Sequence, residues 1–135
     1  MSTAGETPAP TVWPVLRAND APALIDFLER ALGFERAAVF ADGQQVMHAQ
    51  LSWPEGGGVM LSSHEPGSAW NREPGSAGMY VVTDHVDALY ERARQAGAEI
   101  HGDLVDQDYG NREFSVVDPE GNLWSFGPYR GESRS

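Results

Sequence analysis

In these 135 residues, 20 acidic side chains stand against 9 basic ones, and the formal charge of −11 opposes the phosphate neutralisation on which nucleic-acid binding rests. A hydrophobic share of 41% can build the core of one domain, while the absence of Cys removes disulfides, thiolate ligands and thiol nucleophiles and suits a reducing cytoplasm. No basic, apolar leader opens the chain and no apolar run reaches membrane-spanning length, so a cytoplasmic protein without membrane contact is expected, its acidity serving solubility or attracting a cationic ligand.

A tail is expected over 1–11, followed by a strand at 12–17 that Pro14 marks as an edge or a bulge. Asn19 and Asp20 offer a helix cap; Ala23, Leu24, Phe27, Leu28, Ala31 and Leu32 recur at helical spacing, and Gly33 stops the helix. Strands follow at 34–40, 46–53 and 59–62, with Asp42-Gly43 and 54–58 as turns. Gly56-Gly57-Gly58 reads as a hairpin turn and not as a phosphate cradle, because no helix or Lys follows it. The stretch 63–77, carrying Glu-Pro-Gly-Ser-Ala twice around Trp70, reads as a solvated linker or as a lid over a cavity. A strand at 78–83, a helix capped by Asp84 and ended by Gly97, and strands at 98–105, 112–117 and 122–127 complete the pattern before a second tail at 130–135.

The second half repeats the first: Asp20, Arg30, Gly33, Glu35 and Gly57 recur 64 residues later as Asp84, Arg94, Gly97, Glu99 and Gly121. The fold expected is therefore α+β, with two tandem βαβββ modules at 12–62 and 78–129 whose curved mixed sheets surround a cavity within one domain, 12–129.

Tyr109-Gly110-Asn111-Arg112-Glu113-Phe114, followed by Asp118-Pro119-Glu120-Gly121-Asn122-Leu123-Trp124, resembles the vicinal oxygen chelate superfamily of glyoxalases, bleomycin resistance proteins, fosfomycin resistance enzymes and extradiol dioxygenases. Val15-Leu16-Arg17-Ala18-Asn19-Asp20 and Ala31-Leu32-Gly33-Phe34 match its first module, and the closest likeness is to the glyoxalase-like, bleomycin-resistance-like branch. The resemblance implies a small-molecule pocket, a homodimer and a divalent metal. Its metal positions fall here on Trp13, Leu61, Gly78 and Ser125, which supply no usable ligand beyond a weak hydroxyl, so neither metal nor other cofactor is expected.

Without that metal, other side chains must make the pocket. His48 and Gln50 share one face of their strand while Met47, Ala49 and Leu51 share the other, which should face the helix. His48 is then a general-base candidate or simply a satisfied polar residue. The 64-residue offset places Arg112 at the position equivalent to His48 on the third strand of its module, and its guanidinium either forks onto a ligand carboxylate or phosphonate or forms a structural ion pair. Trp13, Trp70, Tyr80, Tyr109 and Phe114 are candidate aromatic walls, with Leu61 and Ser125 at the cavity centre, whereas His64, His85 and His101 read as surface residues. Two functions follow. One is metal-independent binding of an aromatic or cationic drug-like compound, as in the sequestration by bleomycin resistance proteins that the resemblance implies. The other is a lyase, isomerase or dioxygenase that uses His48, Gln50 and Arg112 or an unrecognised divalent metal.

Overall fold

The computed structural model describes residues 9–133, the Tyr109 side chain apart; of the two expected tails, 1–8 and 134–135 lie outside the described residues. Asp20 starts helix α1 (Ala21–Arg30) by accepting the N–H of Ala23 at 3.1 Å, which satisfies one of the donors left open at a helix start. Leu24, Ile25 and Leu28, spaced for one helical face, are buried beneath it.

Around α1 lies a four-stranded sheet of β1 (Val15–Ala18), β2 (Glu35–Asp42), β3 (Gln45–Ser52) and β4 (Gly58–Ser63), in the order β1-β4-β3-β2 with β1 parallel to β4. The second module repeats it with β5 (Gly78–Val82), α2 (Val86–Gln95), β6 (Glu99–Asp106), β7 (Arg112–Val117) and β8 (Leu123–Gly127), in the order β5-β8-β7-β6. A single 3₁₀ turn, Asp108–Gly110, precedes β7. Helix α2 is capped at His85 and not at Asp84, whose carboxylate instead pairs with Arg130 at 2.8 Å. Among the described residues no helix is long and apolar enough to cross a membrane.

Strand alternation sorts each sheet into two faces. Leu16, Ala49, Leu51, Val59 and Leu61 are buried on the helix side of the first sheet, as are Phe114, Val116, Trp124 and Phe126 in the second. The modules share one core, because Phe34 and Trp53 of the first meet Trp124 and Phe126 of the second, with ring centroids 5.5 Å and 6.1 Å apart. The Trp53 indole also donates to the carbonyl of Val82 at 2.9 Å.

A reciprocal clasp holds the modules together. Glu55, at the tip of the β3–β4 hairpin, accepts from Thr83 Oγ1 at 2.7 Å and from the Asp84 N–H at 2.9 Å. Glu120, at the tip of β7–β8, accepts from the N–H groups of Asn19 and Asp20, both at 2.8 Å. Each hairpin thereby grips the strand-to-helix loop of the other module. Arg92 of α2 adds bonds to the carbonyls of Glu29 and Arg30 at the end of α1, 2.9 Å and 3.0 Å long.

The repeat register differs from the one the glycines suggest. Ala49 pairs with Leu61 as Phe114 pairs with Phe126, and Leu16 pairs with Leu61 as Val81 pairs with Phe126, which sets the offset at 65 and not 64 through the sheet centres. The offset is 64 only from the helix-ending Gly33 and Gly97 through β2 and β6, where Glu35 and Arg36 correspond to Glu99 and Ile100. Consequently the counterpart of His48 is Glu113, not Arg112. A register shift between Phe40 and Ala41 also leaves Met47 unpaired, so Val46 turns inward while Met47 is 65% exposed, against the expectation that Met47 faces the helix.

Candidate functional site

The faces turned away from the helices carry the polar chemistry. In the second module, alternation brings Tyr80 of β5, Ser125 of β8 and Ser115 and Glu113 of β7 onto this face, with Tyr80 paired to Ser125 and Ser125 to Ser115. Gly102 of β6 leaves room there: a Cβ would lie 2.9 Å from Ser115 Oγ. Gly102, Glu113, Ser115 and Ser125, with Asp103, line a groove of about 270 Å³.

Tyr80 donates its phenol proton to Glu113 Oε2 at 2.9 Å and accepts the N–H of Tyr129 at 3.2 Å. Gly127 makes that pairing possible, since a Cβ at this position would lie 2.6 Å from both Tyr80 Oη and Glu113 Cγ. Burial first, and then the hydrogen bond to the Glu113 carboxylate, push the phenol up to about 12. Among the described residues no Arg or His pairs with Glu113, so its charge remains available to a ligand.

On its other side Tyr80 borders a crevice of about 250 Å³ between the modules, walled by Phe34, Trp53, Met79 and Trp124 with Glu55 and Arg130 at its rim. The Tyr80–Glu113 bond thus stands between an apolar aromatic space and a polar one. Such an arrangement fits a molecule with a flat apolar part and a donor or cationic part.

The other sequence candidates divide. Trp13 packs at the entry to β1, with its ring next to Gly58 and its indole donating to the Pro10 carbonyl at 3.2 Å. His48 is half-buried and stacked on Phe40, 6.2 Å between centroids, on the same outer face as Gln50. Leu61 and Phe114, by contrast, are 1% and 2% exposed on the helix side, because alternation assigns the outer face to Met60 and to Glu113 and Ser115. Arg112 is also on the helix side, donating to Asp87 at 2.8 Å and Asp106 at 3.1 Å; these two bonds raise its already high pKa and make it the structural ion pair. Trp70 is 81% exposed and walls neither cavity. The Tyr109 side chain lies outside the described residues. His64 departs from the surface expectation, since it is half-buried and its Nδ1 is enclosed.

At the metal positions of the resembled family, the outer-face residues are Met60, Gly78 and Ser125, with Trp13 before β1, and this set lacks the nitrogen and carboxylate donors that divalent metals take. Among the described residues no three His, Cys, Asp or Glu side chains cluster as ligands. Glu113, Ser115 and the clasp carboxylates escaped sequence reading. The available signal was Pro-Glu-Gly at 54–56 and 119–121, which states the offset of 65 directly.

Comparison with known proteins adds three findings. A family model of the glyoxalase/bleomycin resistance protein/dioxygenase superfamily matches residues 11–126. An uncharacterised protein of Mycobacterium bovis is 36% identical over 126 residues, covering 87% of this chain and 82% of that one. Among solved structures, TioX from Micromonospora sp. ML1 superposes with a TM-score of 0.71 at 30% identity, covering 87% of this chain and 98% of TioX. A glyoxalase/bleomycin resistance protein from Catenulispora acidiphila, at 19% identity and a TM-score of 0.66, covers 87% of this chain and 96% of its own, and shows the fold alone.

Proposed function

Since the chain belongs to the glyoxalase/bleomycin resistance protein/dioxygenase superfamily, we propose that it is a metal-independent binding protein for a small aromatic compound carrying a cationic group. The observation that carries this reading is the Tyr80–Glu113 pair. It offers a carboxylate without a neutralising partner among the described residues, at the junction of an aromatic crevice and a groove that Ser115 and Ser125 make polar. The aromatic part of the ligand packs in the crevice, and its cation meets Glu113 and the face of Tyr80. The net charge of −11 draws such a ligand in.

The protein acts as a homodimer. Supporting this, Val15, Phe40 and Val105 are 52%, 63% and 46% exposed on the sheets of one chain, an apolar surface that a second copy covers. Light scattering coupled to size exclusion reads the mass directly, and a monomer at micromolar concentration overturns the dimer.

Titration calorimetry with benzyltrimethylammonium tests the ligand reading. Saturable binding is expected, about tenfold weaker in Glu113→Gln, a loss of about 1.4 kcal/mol, and unchanged in Arg112→Ala. Absence of binding, or equal binding by Glu113→Gln, overturns it. Native mass spectrometry after incubation with Ni²⁺, Mn²⁺ or Fe²⁺ tests metal independence: stoichiometric retention overturns that part and moves the function to metal-dependent catalysis.

A further inference from the structure

We propose that the groove between helix α2 and the β3–β4 hairpin binds a small aromatic monocarboxylate, whose carboxylate Arg92 holds. His85, Ala88, Leu89 and Arg92, at i, i+3, i+4 and i+7, share one face of α2, and with Leu32 and Trp53 they line a groove of about 540 Å³. The repeat shows why this groove is open. Helices Ala21–Arg30 and Val86–Gln95 correspond at an offset of 65, so Arg92 stands where the first module has Phe27. Phe27 is half-buried and packs against the core, whereas Arg92 is exposed and reaches across to the end of α1. Ala88 is exposed too, where its counterpart Ala23 is half-buried. The second module thus has a cation at the end of the groove in place of an apolar plug.

That cation has donors to spare. Nε and Nη2 of Arg92 donate to the carbonyls of Arg30 and Glu29, and among the described residues no carboxylate pairs with it. A guanidinium has five N–H donors, so three remain, both of those on Nη1 among them. A Cβ at position 33 would lie 3.3 Å from Nη1, and Gly33 leaves that nitrogen room. The carboxylate that lines the groove, Glu55, is committed at the His85 end to Thr83 Oγ1 and the Asp84 N–H. Between His85 and Arg92 the helix rises about 10 Å, which matches an aromatic ring carrying a short acid chain. The ring packs on Trp53 and Leu89, and the guanidinium fork takes the carboxylate. Glu113 is on the outer face of the second sheet, so this site goes beyond the cation reading and stands without it.

The test is ¹H–¹⁵N NMR of the full chain during titration with phenylacetate, following the Arg92 Nε–H and the Trp53 indole N–H. Both resonances should shift and saturate. Trp53 also walls the aromatic crevice, so the Arg92 resonance is the one that identifies the groove. Read at Trp53, affinity should be at least tenfold weaker in Arg92→Gln, which lacks the fork, and for phenylacetamide, which lacks the charge. An Arg92 Nε–H drift that never saturates, equal binding of phenylacetamide, or equal affinity in Arg92→Gln overturns the site. Should Arg92→Gln fail to fold, Ala88→Phe replaces it by filling the groove and leaving the guanidinium in place: severalfold weaker binding supports the proposal and unchanged binding overturns it. Glu113→Gln should leave phenylacetate affinity unchanged while weakening benzyltrimethylammonium, so the two readings fail separately.

Discussion

The two hairpin tips occupy equivalent places and make the same clasp, yet they are built from opposite chemistry. In the second module the buried Asp118 carboxylate organises the turn. It accepts from the N–H groups of Glu120, Gly121 and Asn122, from the Asn122 side chain and from the Trp124 indole, over 2.8–3.0 Å. In the first module the equivalent position is Trp53, which fills the space with its ring and sends its indole across to Val82. Its turn is shaped by glycine: Gly58, at φ +158°, lets the strand pass so close that a Cβ would meet Leu51 O at 2.3 Å. One tip is held by a polar hub and the other by packing, so they should fail differently.

The sharpest break is Trp53→Ala, which empties a ring that touches Phe34 and Phe126 at the module boundary. Urea unfolding should show a loss of about 3–5 kcal/mol, the range for deleting a buried aromatic. Asp118→Ala leaves the Trp124 and Asn122 donors buried without acceptors, and about 2–3 kcal/mol is expected. Asp118→Asn keeps one acceptor oxygen but turns its amide N–H groups towards the donors of the other, so it should recover only part of that loss.

The clasp carboxylates come next. Glu120→Ala frees two backbone N–H groups and Glu55→Ala frees one N–H and the buried Thr83 hydroxyl, each at about 1 kcal/mol because both glutamates reach solvent. A double variant much worse than the sum shows that the two clasps act on one equilibrium, the mutual orientation of the modules.

Elements were readable from the sequence because their cues are local: Asp20 before an apolar stripe, Gly33 and Gly97 after one, and Asp118-Pro119-Glu120-Gly121 between strands. Facing was not, because it depends on parity. The offset is 64 from the helix-ending glycines through β2 and β6 and 65 through the helices and the other strands, and one residue of slip turns every side chain of a strand to the opposite face. That single residue moved Arg112, Phe114 and Leu61 toward the expected cavity and hid Glu113 and Ser115. The unpaired Met47 adds a second inversion within β3.

A subtler contrast between the modules is spectroscopic. Tyr80 is held near 12, whereas its counterpart in the first module is Val15, so only the second module carries a late-ionising phenol on this face. Because the folded pKa is raised, the Tyr80 contribution to stability is complete below about pH 10, the ordinary phenol value, and is lost as pH rises through about 12. Absorbance titration at alkaline pH should lose its latest step in Tyr80→Phe, and Glu113→Gln should shift that step to lower pH. Gly127→Ala should do the same by forcing Tyr80 and Glu113 apart.

The smallest effect distinguishes the two offsets. Were 64 the structural register, Arg112 would stand where His48 stands and its loss would remove a ligand contact. At 65 it is an exposed ion pair on the helix side, bonded to Asp87 and Asp106, whose side chains are 70% and 76% exposed. Exposed pairs of this kind contribute little, and that contribution fades in salt. Arg112→Ala should therefore lower stability only slightly, lose most of that difference in about 1 M NaCl, and leave benzyltrimethylammonium affinity unchanged. A marked loss of affinity would mean that β7 turns its other face to the ligand, and Glu113 would then cease to be the residue to test.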